Sequence, residues 1–516
     1  MKFFPRTLYL LLVVLMLWAT DGSCSGVNVT NTSLGTRDAG TGNAPINFDI
    51  SWDNSWRSTG GGAPAPNNWD AAWVFVKFQK NGGDWQHASL NNTGHTVPSG
   101  ASLDVGLVDT SASFNISTNP GVGVFIYRSA DGTGTFSKTG FSLSWKYTQD
   151  GVGVNDTIVL RVYAIEMVYV PAGAFFAGDN ATADYSFKQG SADTDPWFIG
   201  SEGAIVTSNG AGTGTGLSET AAEFYYPGRG DATGSIFTIP AAFPKGYQAH
   251  YVMKGEISQR QWVSFFNTLT ATQKSSRDVT SSSWSGKNSD NLSYRNNVSW
   301  TSGDATLPDR GGGATYEHVA MNFISWADIT AYFDWSGLRP MSELEFERSG
   351  RGPYRAVSGE YAWGTASNTN ATSISSSGLP NERAQSGANA YVNYTSILGP
   401  FRVGSFADGV ATRTAAGAGY YGAMDLSGNL WEFTIPVGNS TARSFEGRYH
   451  GSGMLDSNGH HNVTSWPAFN DTGWGLRGGS WQGGSPAAQL SDRWLSLYSN
   501  THRFTDTGGR GVRSAP

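Results

Sequence analysis

The sequence predicts an α+β protein in which an all-β sandwich precedes a larger domain of mostly irregular structure. Three observations carry this. Residues 27–165 alternate apolar and polar positions, or form short β-branched and aromatic runs between Gly, Asn and Pro. Well-capped helical patterns occur only after residue 250. Gly (67 residues) and aromatics (13%) are abundant while 15% of residues are charged, a composition of loop-rich β structure. At 516 residues the chain exceeds one ordinary core, and it divides into 1–26, 27–165 and 166–516.

The first segment reads as a secretory signal peptide. Lys2 and Arg6 precede an apolar run, 8–18, too short to span a bilayer comfortably and followed by small and polar residues. The mature protein is therefore expected to be secreted, extracellular or at the cell surface, to begin between residues 20 and 27, and to carry no transmembrane segment. Cys24 is the single cysteine. Lipid attachment there is the alternative, and Asp21 stands where a lipoprotein signal has an aliphatic residue. Cleavage after Cys24 leaves no thiol for disulfides or thiolate chemistry. A net charge of −7 excludes nucleic acid as a partner, because no basic excess exists to displace phosphate counterions. Thirteen Asn-x-Ser/Thr sites are candidates for glycosylation: Asn28, Asn31, Asn91, Asn115, Asn155, Asn180, Asn291, Asn297, Asn370, Asn393, Asn439, Asn462 and Asn470.

In the β region the expected strands are 46–52, 72–79, 123–128, 141–147 and 157–165. Residues 131–134, Asp-Gly-Thr-Gly, supply the positive φ that a hairpin turn needs. Trp52, Trp56, Trp69, Trp73 and Trp85 read as core residues, with a sugar-binding surface as the other reading. Beyond residue 166, the spacing of Trp262, Phe265, Phe266 and Leu269 predicts a helix over 258–269, with Ser258 as N-cap and Gln261 completing a capping box. A second helix, 325–335, opens on Ser325 with Asp328 three residues on and buries Trp326, Ile329, Tyr332 and Phe333. A short third, 342–348, has Ser342 and Glu345 in the same roles. The glycine runs 311–313 and 210–216 lack a following Lys-Ser/Thr, and no Gly-x-Ser-x-Gly elbow follows a strand, so neither a phosphate loop nor a serine hydrolase is indicated.

Segments in order along the rest of the chain carry a resemblance. They are MVYVPAGAFFAGD (167–179), KGEISQRQWVSFFN (254–267), the run 318–352 containing LRPMSELEFERSGRG, YAWG (361–364), VGSF (403–406), YGAMDLSGNLWEFT (421–434), LRGGSW (476–481) and GRGVRSA (509–515). Together they resemble the formylglycine-generating enzyme, or sulfatase-modifying factor, family. The resemblance implies a compact fold related to C-type lectins. Family enzymes bind Cu(I) through two cysteines shortly after the Gly-Gly-Ser-aromatic motif and oxidise a sulfatase cysteine to formylglycine. Here those positions fall near Gly483 and Ala488, and since Cu(I) prefers thiolate sulfur, no copper is expected. His450, His460 and His461 lie in one stretch and read as ordinary surface histidines rather than a metal site.

The resemblance also implies a structural calcium held by the Asp425 and Glu432 side chains and by the backbone oxygens of Gly428 and Leu430. Two carboxylates flanking a glycine turn suit a hard cation. The alternative is that Asp425 caps the turn and Glu432 meets an arginine such as Arg477. A second family calcium site would involve Asn381 and Glu382. These readings together describe an exported, non-catalytic binding or structural protein of a surface, matrix or filament, whose partners are a surface glycan, a protein ligand or copies of itself. One alternative is an oxidoreductase-like enzyme with altered chemistry in a cleft lined by Trp481, Asp492, Arg493, Trp494 and Arg503. The other is a variable lectin-fold ligand-binding protein.

Overall fold

The computed structural model describes the backbone of 22–23 and residues 26–60, 67–110, 119–179, 183–190, 195–209, 224–393, 396–407, 412–498 and 500–516. Cys24, Asn115 and Asn180 lie outside these residues. Strand accounts for 29% of the chain and helix for 10%, so the β character dominates.

Ala44–Ser58 pairs antiparallel with Asn28–Leu34 on one side and with Gly132–Trp145 on the other. Asn68–Lys80 runs between Gly123–Arg128 and Ile158–Val170. The two groups join at a corner where Arg57 and Ser58 face Trp69 and Asn68. They then fold over a shared core, in which Trp145 of one layer meets Phe78 of the other at 4.9 Å. Alternation explains the layer: Ile46, Phe48 and Ile50 point inward at every second position of their strand.

All five expected strands are present in this region. The turn at 131–134 is a correction. Gly134 has the positive φ, 105°, but the flanking strands pair with different partners, so the chain crosses between layers instead of forming a hairpin. Turn chemistry reports the backbone angle, not what the next strand will pair with.

Ile158–Val170 carries the sheet onward. Its last residues pair with His250–Met253, which pairs in turn with Val512–Ser514 near the end of the chain. This single strand crosses position 166, so backbone hydrogen bonds join the segments on either side of that position. A second sheet of four short strands, Met341–Ser342, Trp431–Ile435, Gly475–Arg477 and Thr507–Gly508, gathers the signature segments.

Helices Gln259–Phe266, Trp326–Ser336 and Glu343–Arg351 each begin at the expected serine with a complete capping box. Gly337 ends the second in the left-handed conformation, φ 75°, that glycine adopts without strain. Phe265 packs its ring against Tyr332 and Trp335 at 5.8 and 5.4 Å, and burying such a ring contributes about 1.5–3 kcal/mol. Helix Ala271–Arg277 was not expected. Thr270 and Gln273 form its capping box, but its residues carry no apolar stripe for periodicity to reveal. Among the described residues no helix is long and apolar enough to cross a membrane.

Candidate functional site

The signature segments converge on buried ion pairs. Helix Glu343–Arg351 turns Glu343 and Glu347 inward, where Arg477 of LRGGSW donates to both, at 3.0 and 2.8 Å. Arg493 donates to the two oxygens of Glu343 at 2.8 and 3.0 Å, and Ser491 to Glu347 at 2.9 Å. Glu345 takes a two-pronged contact from Arg339 at 2.7 and 2.8 Å. All these charged groups are shut off from water, where an unmatched charge costs several kcal/mol. The motif is therefore an internal electrostatic frame. Gly479 shows how tight it is, because φ is +72° and a β-carbon would meet the Ala488 Cα at 2.8 Å.

Of Gly483 and Ala488, near which the resemblance places the family's cysteines, Ala488 borders this frame at Gly479 and packs with Tyr361 and Trp363. The cleft expected over 477–503 is not formed by its five residues. Trp481 and Arg493 are fully buried, Arg503 is committed to Asp328 at 2.7 and 2.9 Å, and Asp492 is buried, leaving Trp494 alone substantially exposed, at 48%. Charge pairing consumes the arginines that the family resemblance assigns to a cleft.

In the 425–432 segment, Asp425, Gly428 and Asn429 have positive φ (59°, 96° and 64°), which coils the turn tightly. Glu432 meets an arginine, as the alternative reading held, but the arginine is Arg510, at 2.7 Å to each carboxylate oxygen. Arg477 faces Glu432 across the strand ladder while its guanidinium goes to Glu343 and Glu347. Asp425 accepts from Gly404 N at 2.7 Å. Glu256, not singled out in the sequence, completes an acidic trio by accepting from Leu430 N at 3.0 Å and from the Asn429 side chain. Burial, with the Asp425 and Glu432 charges adding, pushes the Glu256 carboxyl well above its ordinary range. Burial likewise raises Asp425 and Glu432, with Arg510 opposing it at both. Three carboxyls thus meet one arginine in this buried turn, burial favours their protonated forms, and the Arg510 fork already occupies Glu432. Near the second calcium candidate, Glu382 is fully buried, paired with Arg295 and accepting from Gly378 N at 2.6 Å and Arg402 N at 2.8 Å, and Asn381 is exposed.

The histidines do not converge. His450 is buried and accepts from Ser514 N at 3.0 Å, His460 stacks on Phe469, and His461 bonds the Pro467 carbonyl at 3.1 Å. Among the described residues no group of three or more His, Cys, Asp or Glu is arranged to hold a metal ion. Of the glycosylation candidates, Asn28, Asn31, Asn155, Asn291, Asn393, Asn462 and Asn470 are exposed, and Asn91, Asn370 and Asn439 are half-buried. Asn297 is fully buried, its Nδ2 donating to the Pro308 and Thr315 carbonyls at 2.6 and 2.8 Å, so a glycan there requires both bonds to break.

A large concavity, about 1010 Å³, lies elsewhere, between the β layers and the signature segments. Trp56, Lys254, Glu166, Tyr420 and Tyr421 are in its walls, and none of its lining residues belongs to 477–503. Asn68 donates to the Tyr421 carbonyl at 2.5 Å and Lys254 pairs with Glu166, tying one wall to the other. Burial works against the Lys254 charge, but Glu166 outweighs it and raises that ammonium. Of the five tryptophans, Trp52 and Trp73 are core as expected, while Trp56, Trp69 and Trp85 are half-buried, and Trp56 is the one that faces the concavity.

A sheet continuous with a motif-built, ion-paired domain, in a chain whose single cysteine is at position 24, defines a sulfatase-modifying-factor scaffold. The chain belongs to this family: residues 224–515 match the model of the sulfatase-modifying factor enzyme 1-like domain, more than half of the chain. Among solved structures, Treponema denticola variable protein 1 is similar at 13% identity, covering 68% of this chain and 96% of that one, with a TM-score of 0.32. No curated protein matches the chain.

Proposed function

We propose that this is an exported, non-catalytic binding or structural protein of a surface, matrix or filament, built on a C-type-lectin-related scaffold, and that its ligand site is the cleft at Trp56. One observation carries the reading. The large concavity shares nothing with 477–503, and the positions that the family resemblance assigns to the thiols fall near Gly483 and Ala488, neither of which is a cysteine. A scaffold that lacks thiolates has lost its grip on Cu(I) but can still present a walled pocket. The test is direct: purified protein, supplied with copper and a cysteine-bearing sulfatase peptide, should leave the peptide unchanged by mass spectrometry. Formylglycine in the product overturns the reading in favour of an oxidoreductase.

A structural calcium at Asp425, Gly428, Leu430 and Glu432 belongs to the same proposal. The gathering of Glu256, Asp425 and Glu432 around a single arginine supports it, and the Arg510 contact on both oxygens of Glu432 weighs against it. Bound there, the ion would neutralise charge within the turn and take no part in chemistry.

A further inference from the structure

The walls of the Trp56 cleft point to a ligand class. The strand Ala44–Ser58 carries an irregularity between Trp52 and Ser55, and Asn54 within it adopts φ 57°, a conformation that costs a non-glycine residue energy. The bulge places Asp53, Asn54 and Trp56 in the cleft lining. Opposite, Gly422 lets the chain pass the indole closely, since a β-carbon there would lie 2.9 Å from the ring. Tyr420 is half-buried and stands edge-on to Tyr421 at 4.9 Å. Deeper in, Gln261 is 1% exposed and its Nε2 has no hydrogen-bond partner, an unmet donor of a kind that folded proteins rarely leave.

The lysine and the arginines of the lining are already committed. Lys254 is matched by Glu166, Arg402 donates to the Glu382 carbonyl, and Arg413 donates to the carbonyls of Gly350 and Ala362. An anionic ligand would have to compete with these contacts. A purely apolar ligand would cover the exposed Asp53 and Asn54 and leave the Gln261 Nε2 without a partner. Aromatic faces beside the Asn54 and Gln261 amides and the Asp53 carboxylate suit a molecule with apolar C–H faces and many hydroxyls. The volume is at the upper end of the roughly 300–1,000 Å³ usual for small-ligand sites, so several linked rings fit.

We propose that the cleft binds a neutral oligosaccharide, which stacks on Trp56 and hydrogen-bonds through its hydroxyls to Asp53, Asn54 and Gln261. This rests on the reading that the cleft is the ligand site. The experiment is calorimetric titration of the full chain with neutral tetrasaccharides of glucose, mannose, galactose and N-acetylglucosamine, alongside a pool of unmodified peptides. At least one saccharide should bind. Trp56→Ala should weaken it tenfold or more, Trp56→Phe should keep most of the affinity, and Trp494→Ala, on another surface, should change nothing. No binding by any saccharide, or binding indifferent to Trp56→Ala, overturns the proposal. Peptide binding that is lost in Trp56→Ala overturns the saccharide class and leaves the cleft reading standing. Failure of both saccharides and peptides removes the two together.

Discussion

Arg510 grips Glu432 through two hydrogen bonds of 2.7 Å, with both side chains fully buried. Arg510 lies in the short link between Thr507–Gly508 of the small sheet and Val512–Ser514 of the large one, so the pair fastens the Gly-Asn-Leu-Trp-Glu segment to the junction of the two sheets. Removing one partner leaves a buried charge with no counter-ion, which costs about 3–5 kcal/mol. Arg510→Met should lower stability by that amount in chemical denaturation. A loss under about 1 kcal/mol would show that the carboxylate is held by another group.

Calcium is the named candidate for such a group. If the ion sits at Asp425 and Glu432, chelation should lower the melting temperature, because the acidic trio loses its neutralising charge. Elemental analysis should then find calcium in the untreated protein, and Asp425→Asn should abolish the response to chelator. An unchanged melting curve, with no calcium in the protein, sinks the site.

Trp431 packs into the main core at 7% exposure, and its backbone N–H bonds the Asp506 carbonyl at 2.9 Å. Trp431→Ala should cost about 3–5 kcal/mol, the range for deleting a buried large aromatic. Denaturant midpoints for the two proteins measure it, and a difference near zero would mean that this strand is not packed as described.

His461 gives stability a pH dependence. Burial pushes its imidazole down to about 4 from an ordinary 6.5. Between those values the unfolded chain binds a proton that the folded chain refuses. Its contribution is therefore fully present above pH 6.5 and is lost as pH falls through the window towards 4, by on the order of 2–3 kcal/mol. His461→Gln keeps a donor for the Pro467 carbonyl and should flatten the fall in stability between about pH 7 and 4.5. Parallel curves for the two proteins would contradict this.

Asp328 shows how far local reading reached. Its place three residues after Ser325 announced a capping box, and both halves of that box are formed. The same carboxylate also takes Arg503 and Arg277, which lie 175 and 51 residues away, and no spacing rule forecasts those bonds. Trp56 is a parallel case. Its strand was legible from alternation, but its exposure depends on a bulge beside it and on a wall contributed by Tyr421, far along the chain.

What the sequence determined by itself is therefore local or subtractive: the alternating strands, the three serine caps, the ordered motifs of the family and the loss of its thiols. Each needs only neighbours a few residues apart, or a count. The tertiary structure decided which arginine meets Glu432, that Arg493 and Arg503 are frame rather than cleft, and where the large concavity opens. Those outcomes join residues separated by 78 to 353 positions. They were settled when the sheet, carried across position 166 by one strand, brought the two parts of the chain face to face.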